Sequence, residues 1–261
     1  MKNHKFLFIL AFLAIGLWSC EEEEFDFLQN ATPVSAEARV KFYHGIPGGP
    51  AVDFLWQGKR LNGGRVTVAN SAFLPVTYGN FFPTLNNEYA LVSGGTGKLE
   101  VEVPDNPLAK PAITKATVVS TDATLENGKN YTFVVYGTAA APKFKVLNDD
   151  LPARSSNLTY VRIVHLLNGG PAVDFGIAGA AALGSNVAEG AASSWASFPI
   201  TTTNGVIRQK ISIRTVGSST ALLTTADIDF QVGRCVTIVV RGNQGGTTTL
   251  APGLSTLINR Y

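Results

Sequence analysis

The chain is poor in the residues that do most of the chemistry in proteins. Its 261 residues include two Cys, one Met and three His. Two cysteines cannot build a disulfide framework or a four-cysteine zinc site. Cys235 lies in the strand-like stretch CVTIVVRG and reads as a buried, inert thiol. Charge is also scarce, at 15% of residues, and Gly is plentiful at 26. Long charged helices cannot be made from this composition, whereas short strands joined by Gly, Pro and Asn turns can. The net charge of +2 includes Lys2 and Lys5 of a leader; without them 19 basic residues balance 19 acidic ones. With no basic cluster and no helical basic face, a nucleic-acid partner is excluded.

The leader is MKNHKFLFILAFLAIGLWSC. Its apolar run, Phe6–Leu17, is too short to span a ~30 Å hydrocarbon core as a permanent helix. It ends in Leu17-Trp18-Ser19-Cys20, which resembles a bacterial lipobox, with Trp18 where a small residue is usual. The resemblance implies that residues 1–19 are a signal peptide and that Cys20 carries lipid. Each buried methylene adds ~0.8 kcal/mol, so two or three acyl chains would hold the chain on a membrane. Glu21, Glu22, Glu23 and Glu24 follow. Four like charges repel one another, so residues 20–37 read as a solvated tether. The acidic run is also similar to the surface-export signal of Bacteroidota lipoproteins. That resemblance implies an outer-membrane protein facing the cell exterior.

The rest of the chain repeats. GGPAVDF occurs at Gly48–Phe54 and at Gly169–Phe175, each preceded by a strand-like segment ending in His: Ala38–His44 and Thr159–His165. Leu74–Thr77 aligns with Phe198–Thr201, and Leu125–Gly137 with Phe230–Gly242. The order is collinear, which indicates duplication of a unit of about 110 residues. The predicted boundaries are a first repeat over 38–148, a polar linker over 149–158 and a second repeat over 159–261. Period-two stretches such as Lys98–Val103 predict half-buried strands, and YTFVVYG and VTIVVRG predict central ones. The expected fold is all-β: two tandem immunoglobulin-like β-sandwich domains, with a closed barrel as the alternative. SGGTGK (Ser93–Lys98) lacks Walker spacing and reads as a hairpin turn.

Beyond the leader only His44 and His165 remain, at equivalent repeat positions, each nine residues before an Asp, Asp53 and Asp174. A His–Asp pair could orient a catalytic imidazole or hold a cation. Strand parity opposes direct pairing. His44 shares a face with Val40 and Phe42, whereas Asp53 falls opposite Val52 and Phe54. No Ser or Cys nucleophile recurs in both copies. The expectation is therefore structural: His satisfies a backbone group at a strand end, Asp pins the turn, and GGPAVDF forms the turn and return strand of a first hairpin. No catalytic residue, metal or cofactor is expected. Trp56, Tyr78 and Trp195 are the candidate binding aromatics. From Pro152 onward eight basic residues, seven of them Arg, face four acidic ones, which suits an interface.

The strand ending in His, the short turn and Pro-Ala-Val-Asp (Pro50–Asp53, Pro171–Asp174) resemble a bacterial family, domain of unknown function 4397. Over about 220 residues the resemblance implies two copies on an extracytoplasmic, often lipid-anchored protein; it implies no activity. The expected function is a non-enzymatic binding or adhesion module for a glycan or an envelope protein. The alternative is an accessory structural subunit of an outer-membrane assembly.

Overall fold

Alternating sequence becomes alternating burial. In β8 (Gly95–Val103) Leu99, Val101 and Val103 are buried while Lys98 is exposed. The computed structural model describes residues 37–62, 64–67, 70–73, 75–84, 88–106, 111–180 and 182–260. The leader, Cys20 and Glu21–Glu24 lie outside the described residues. Within them the chain is all-β, and its one helical turn is the 3-10 segment Thr248–Leu250.

The first half contains β1 (Glu37–His44), β2 (Asp53–Trp56), β3 (Lys59–Arg60), β4 (Gly64–Thr67), β5 (Asn70–Phe73), β6 (Phe81–Phe82) and β7 (Ala90–Ser93). After β8 come β9 (Ala116–Leu125), β10 (Asn130–Gly137) and β11 (Pro142–Asn148). One sheet runs β11-β10-β1, with β6 and β7 both on the far side of β1; a second runs β3-β2-β8-β9. One core joins their facing sides: Val40 and Phe42 of β1 and Phe133 of β10 pack with Phe54 and Trp56 of β2 and Leu99 and Val101 of β8. Phe42 lies 4.7 Å from Phe54 and 5.3 Å from Phe133, ring centre to ring centre. Each such side chain, fully buried, contributes about 1.5–3 kcal/mol over its exposed state.

The second half contains β12 (Leu158–His165), β13 (Val173–Ile177), β14 (Ala182–Val187), β15 (Ala191–Ala192), β16 (Ala196–Pro199) and β17 (Val206–Gln209). It continues through β18 (Ile211–Thr215), β19 (Ala221–Thr224), β20 (Ile228–Gln231), β21 (Cys235–Arg241) and β22 (Gly253–Arg260). The pairing repeats. Sheet β22-β21-β12, with β15 and β16 on the far side of β12, faces sheet β14-β13-β18-β19. In both halves the first strand pairs in parallel with the long apolar one: Val40 stands opposite Tyr131, and Val161 opposite Val236. None of these sheets closes on itself, so the barrel is excluded.

Parallel pairs are normally buried on both faces, and a third cluster does this here. Tyr43, Val134 and Leu147 of the first half pack with Val164, Val239 and Leu257 of the second. Strand register makes these equivalent trios: Tyr43 corresponds to Val164, Val134 to Val239 and Leu147 to Leu257. The same face of each inner sheet therefore meets its counterpart, and four layers stack. Residues Val34–Tyr261 form one compact unit.

Four local expectations need correction. GGPAVDF is not part of a hairpin: β1 and β2 lie in different sheets, so the motif is an inter-sheet corner. SGGTGK is likewise a crossover, since β7 pairs with β1 and β8 with β2. A Cβ at Gly94 in that crossover would strike the Asn127 side chain and the Leu125 carbonyl. The proposed match of Leu74–Thr77 with Phe198–Thr201 also fails. Val76 bridges to Val52, whereas Phe198 stands opposite Thr159, the place that Val92 takes opposite Ala38. Finally, Asp149, the first residue of the predicted linker, is buried.

Candidate functional site

The repeated motif builds the same corner twice. Gly48 and Gly169 turn it at φ 68° and 70°, a region that glycine enters without steric cost. Each histidine ring then ties strand end to corner: Nε2 lies 2.8 Å from the Pro50 carbonyl in the first half and 2.8 Å from the Pro171 carbonyl in the second. A carbonyl only accepts, so Nε2 carries the proton in both. In His44 the other nitrogen, Nδ1, accepts the Ile46 N–H at 3.3 Å. His165 Nδ1 has no partner among the described residues. Burial lowers both pKa values below the usual 6.5, and the bond to the proline carbonyl only partly opposes this. Both rings are therefore neutral at pH 7.

Neither histidine bonds its aspartate. Asp53 is on the face opposite Val52 and Phe54, yet it is buried: Oδ1 accepts from Asn62 Nδ2 at 2.7 Å and Oδ2 meets Arg60 Nε at 2.9 Å. Asn62 Oδ1 accepts the Phe54 N–H at 2.8 Å, so the pair fixes the turn after β2. Asp174 accepts the Asn186 N–H at 2.8 Å and ties the start of β13 to the end of β14, where their register shifts. The structure thus separates the two halves of the His–Asp constellation. Among the described residues no group of three or more His, Cys, Asp or Glu side chains could hold a metal.

A polar cluster that sequence reasoning missed lies in the seam between the inner sheets. Arg162, buried, donates from Nε to Thr237 Oγ1 at 2.9 Å, from Nη1 to the Asn148 carbonyl at 3.3 Å, and from Nη2 to Asp149. Asp149 also accepts from Thr132, Tyr89 and Asn259. Lys41, at the position equivalent to Arg162, donates to the Ile258 carbonyl at 3.0 Å and sits 4.7 Å from the Tyr89 ring centre. Burial lowers Lys41 to about 8, partly offset by Asp149 and Glu88. Tyr89 is pushed well up, first by burial and then by the Asp149 charge. The sequence carried a partial signal: Lys41 and Arg162 stand at equivalent places, each between two buried apolar residues, Val40 and Phe42 in one strand and Val161 and Ile163 in the other.

The second half's arginines therefore face inward in part. Arg162 holds Asp149, and Arg241 donates to Tyr78 Oη at 3.3 Å while stacking on that ring at 5.2 Å. The first half supplies the partner both times. The Cys235 side chain is buried.

The three candidate aromatics separate. Trp56 is a correction: it is 3% exposed, packed in the first core, and its indole N–H donates to the Ser93 carbonyl at 3.0 Å. Tyr78 is half-buried beside Arg241, on a shallow groove of about 320 Å³. Trp195 is half-buried at the seam, with the Arg162 guanidinium 4.5 Å from its ring centre. Its ring lines two grooves, of about 480 and 420 Å³.

The scaffold is all-β, with a duplicated corner, an internal polar seam and a half-exposed tryptophan beside open grooves. Residues 38–176 match the family described as a domain of unknown function (DUF4397), and the chain belongs to that family. The matched stretch, more than half of the chain, runs from β1 through the second GGPAVDF. No curated protein matches the chain. No described helix is long and apolar enough to cross a membrane.

Proposed function

We propose that this is a lipid-anchored outer-membrane protein facing the cell exterior, in which two tandem immunoglobulin-like repeats act as a non-enzymatic binding or adhesion module for a glycan or an envelope protein. One observation carries the non-enzymatic part. The only histidines of the repeated motif are 0% exposed and bonded to proline carbonyls within their own corners. A general base must reach the proton it abstracts, and these rings face the corner instead. Four stacked layers make a rigid body, which suits the presentation of surface grooves. The anchor rests on Cys20 and the acidic run after it.

The accessory-subunit reading gains no specific support. The large hydrophobics with most exposure divide between the halves, Leu91 and Ile113 in the first, Val216 and Val232 in the second. Among the described residues they do not concentrate on the second half as a docking face would.

Metabolic labelling with a clickable palmitate, with protease treatment of intact cells, tests the reading. The wild type should take label and be cleaved from outside, and Cys20→Ala should lose label and leave the membrane fraction. An unlabelled wild type would remove the anchor, and a chain protected in intact cells would place it facing the periplasm.

A further inference from the structure

Trp195 stands as a wall between two grooves that share Ser193 and Ser194. One groove crosses the seam and takes Lys145 and Asp150 from the first half. The other lies wholly in the second half, where Leu183, Ser185 and Asn186 complete it. Both volumes fall within the range typical of small-ligand sites.

The ring is fixed in advance. Arg162 stacks on it and is itself held by Thr237, Asn148 and Asp149, so the platform does not have to be ordered on binding. The groove rim is fixed as well. Asp174, from the repeated motif, accepts the Asn186 N–H, and Asn186 adopts φ 55° there. The indole N–H of Trp195 has no hydrogen-bond partner among the described residues, whereas that of Trp56 is satisfied by Ser93.

The chemistry of the second-half groove is specific. Its lining contains no charged side chain; it offers serine hydroxyls, one side-chain amide, small alanines and the indole. An anion or cation would find no countercharge there. A ligand with an apolar C–H face and a rim of hydroxyls would satisfy both the ring and the polar groups. Among the described residues the other end of the seam offers no such surface. The aromatic ring over Lys41 is Tyr89, and its hydroxyl is already tied to Asp149 at 2.8 Å and Asn259 at 2.9 Å.

From this geometry we infer that Trp195 is the stacking platform of a binding site for a neutral oligosaccharide. A sugar ring lies on the indole, its hydroxyls bond Ser185, Asn186 and Ser194, and the chain continues around Trp195 into the seam groove; Ser193 Oγ is already tied to the Ile163 N–H and the Ser194 carbonyl. The inference rests on the binding-module reading above and names its ligand class and site.

The test is titration of the full chain, in detergent, with neutral hexaoses of glucose, xylose, mannose and N-acetylglucosamine, followed by calorimetry and tryptophan fluorescence. At least one hexaose should bind and shift the emission. Trp195→Ala should weaken it roughly ten-fold or more, as loss of stacking requires. Ser185→Arg, which fills the groove from an exposed position, should do the same and covers the case in which Trp195→Ala lowers stability. Hexaose binding that survives both substitutions overturns the site while leaving a glycan module standing. A wild type that binds none of the four also overturns it; if that chain still retains an envelope protein from its own membrane, the binding-module reading stands without the sugar.

Discussion

The two ends of the seam hold the same backbone geometry and different chemistry. At one end Arg162 meets Asp149; at the other the equivalent positions are Lys41 and Asn259. Threonines match as well, Thr132 donating to Asp149 and Thr237 to Asn259, each at 2.6 Å. A guanidinium is a planar fork and serves a hydroxyl, a carbonyl and a carboxylate together. An ammonium is a point charge, and here it serves the Ile258 carbonyl and the face of Tyr89. The arginine end leaves its aromatic, Trp195, partly free. The lysine end closes its aromatic with two hydrogen bonds. A duplicated scaffold has thus kept its packing and divided its polar roles between the halves.

The sharpest way to break this comparison is at the carboxylate. Asp149→Ala would leave Arg162 buried without its countercharge, at a cost of about 3–5 kcal/mol in urea unfolding. Asn259→Ala removes hydrogen bonds to Thr237, to Tyr89 and to the Asp149 carboxylate but leaves the Arg162–Asp149 ion pair in place, and should cost about 1–3 kcal/mol. Equal losses would mean that the two ends are energetically alike and that the difference in charge is incidental.

Next in size is the apolar seam. Leu147→Ala and Leu257→Ala delete equivalent buried side chains, and each should cost about 2–5 kcal/mol. Because the inner sheets bury a face against one another, either substitution should lower the stability of the whole body in a single transition. A calorimetric trace with two transitions, only one of them shifted, would show that the halves unfold independently.

Much of this arrangement was legible in the chain. The repeat alignment placed Tyr131 with Val236 and His44 with His165, and strand register agrees, because a central strand apolar on both faces leaves little freedom of register. Sheet membership was not legible. A period of two is the same whether the chain folds back as a hairpin or crosses to the opposite sheet, so GGPAVDF alone could not distinguish them. The burial of Trp56 was within reach, since it shares strand parity with Phe54, a core residue. Trp195 was harder, because it lies among small residues with no period, and only the folded seam brings Arg162 beneath it. The second faces of the inner sheets were hidden for the same reason: a charged residue in an apolar strand signals burial against polar partners only once those partners are known.

A smaller effect separates the two corners. Unfolded histidine takes up a proton near pH 6.5, and the folded rings do so at lower pH. The unfolded state therefore binds more protons below about 6.5, and stability should be level above that pH and fall as pH drops through the folded values. His44→Gln/His165→Gln should flatten the decline in thermal midpoint between pH 7 and 5. His44, with both nitrogens bonded, should account for more of the stability at pH 7 than His165, which bonds through one.

The smallest expected change is at Lys41. Replacing a buried charge by an apolar chain of similar length is often neutral, so Lys41→Met should lie within about 1 kcal/mol of the wild type at pH 7. The distinguishing signal is in alkali. Folded Lys41 loses its proton near pH 8, and the unfolded lysine keeps it to about 10.5. Between those values the unfolded state binds more protons, so wild-type stability should rise relative to Lys41→Met as pH increases through the window. The gain comes from relief of a desolvated charge. If the difference between wild type and Lys41→Met stays constant from pH 7.5 to 10.5, the ammonium is not desolvated, and the two ends of the seam differ only in shape.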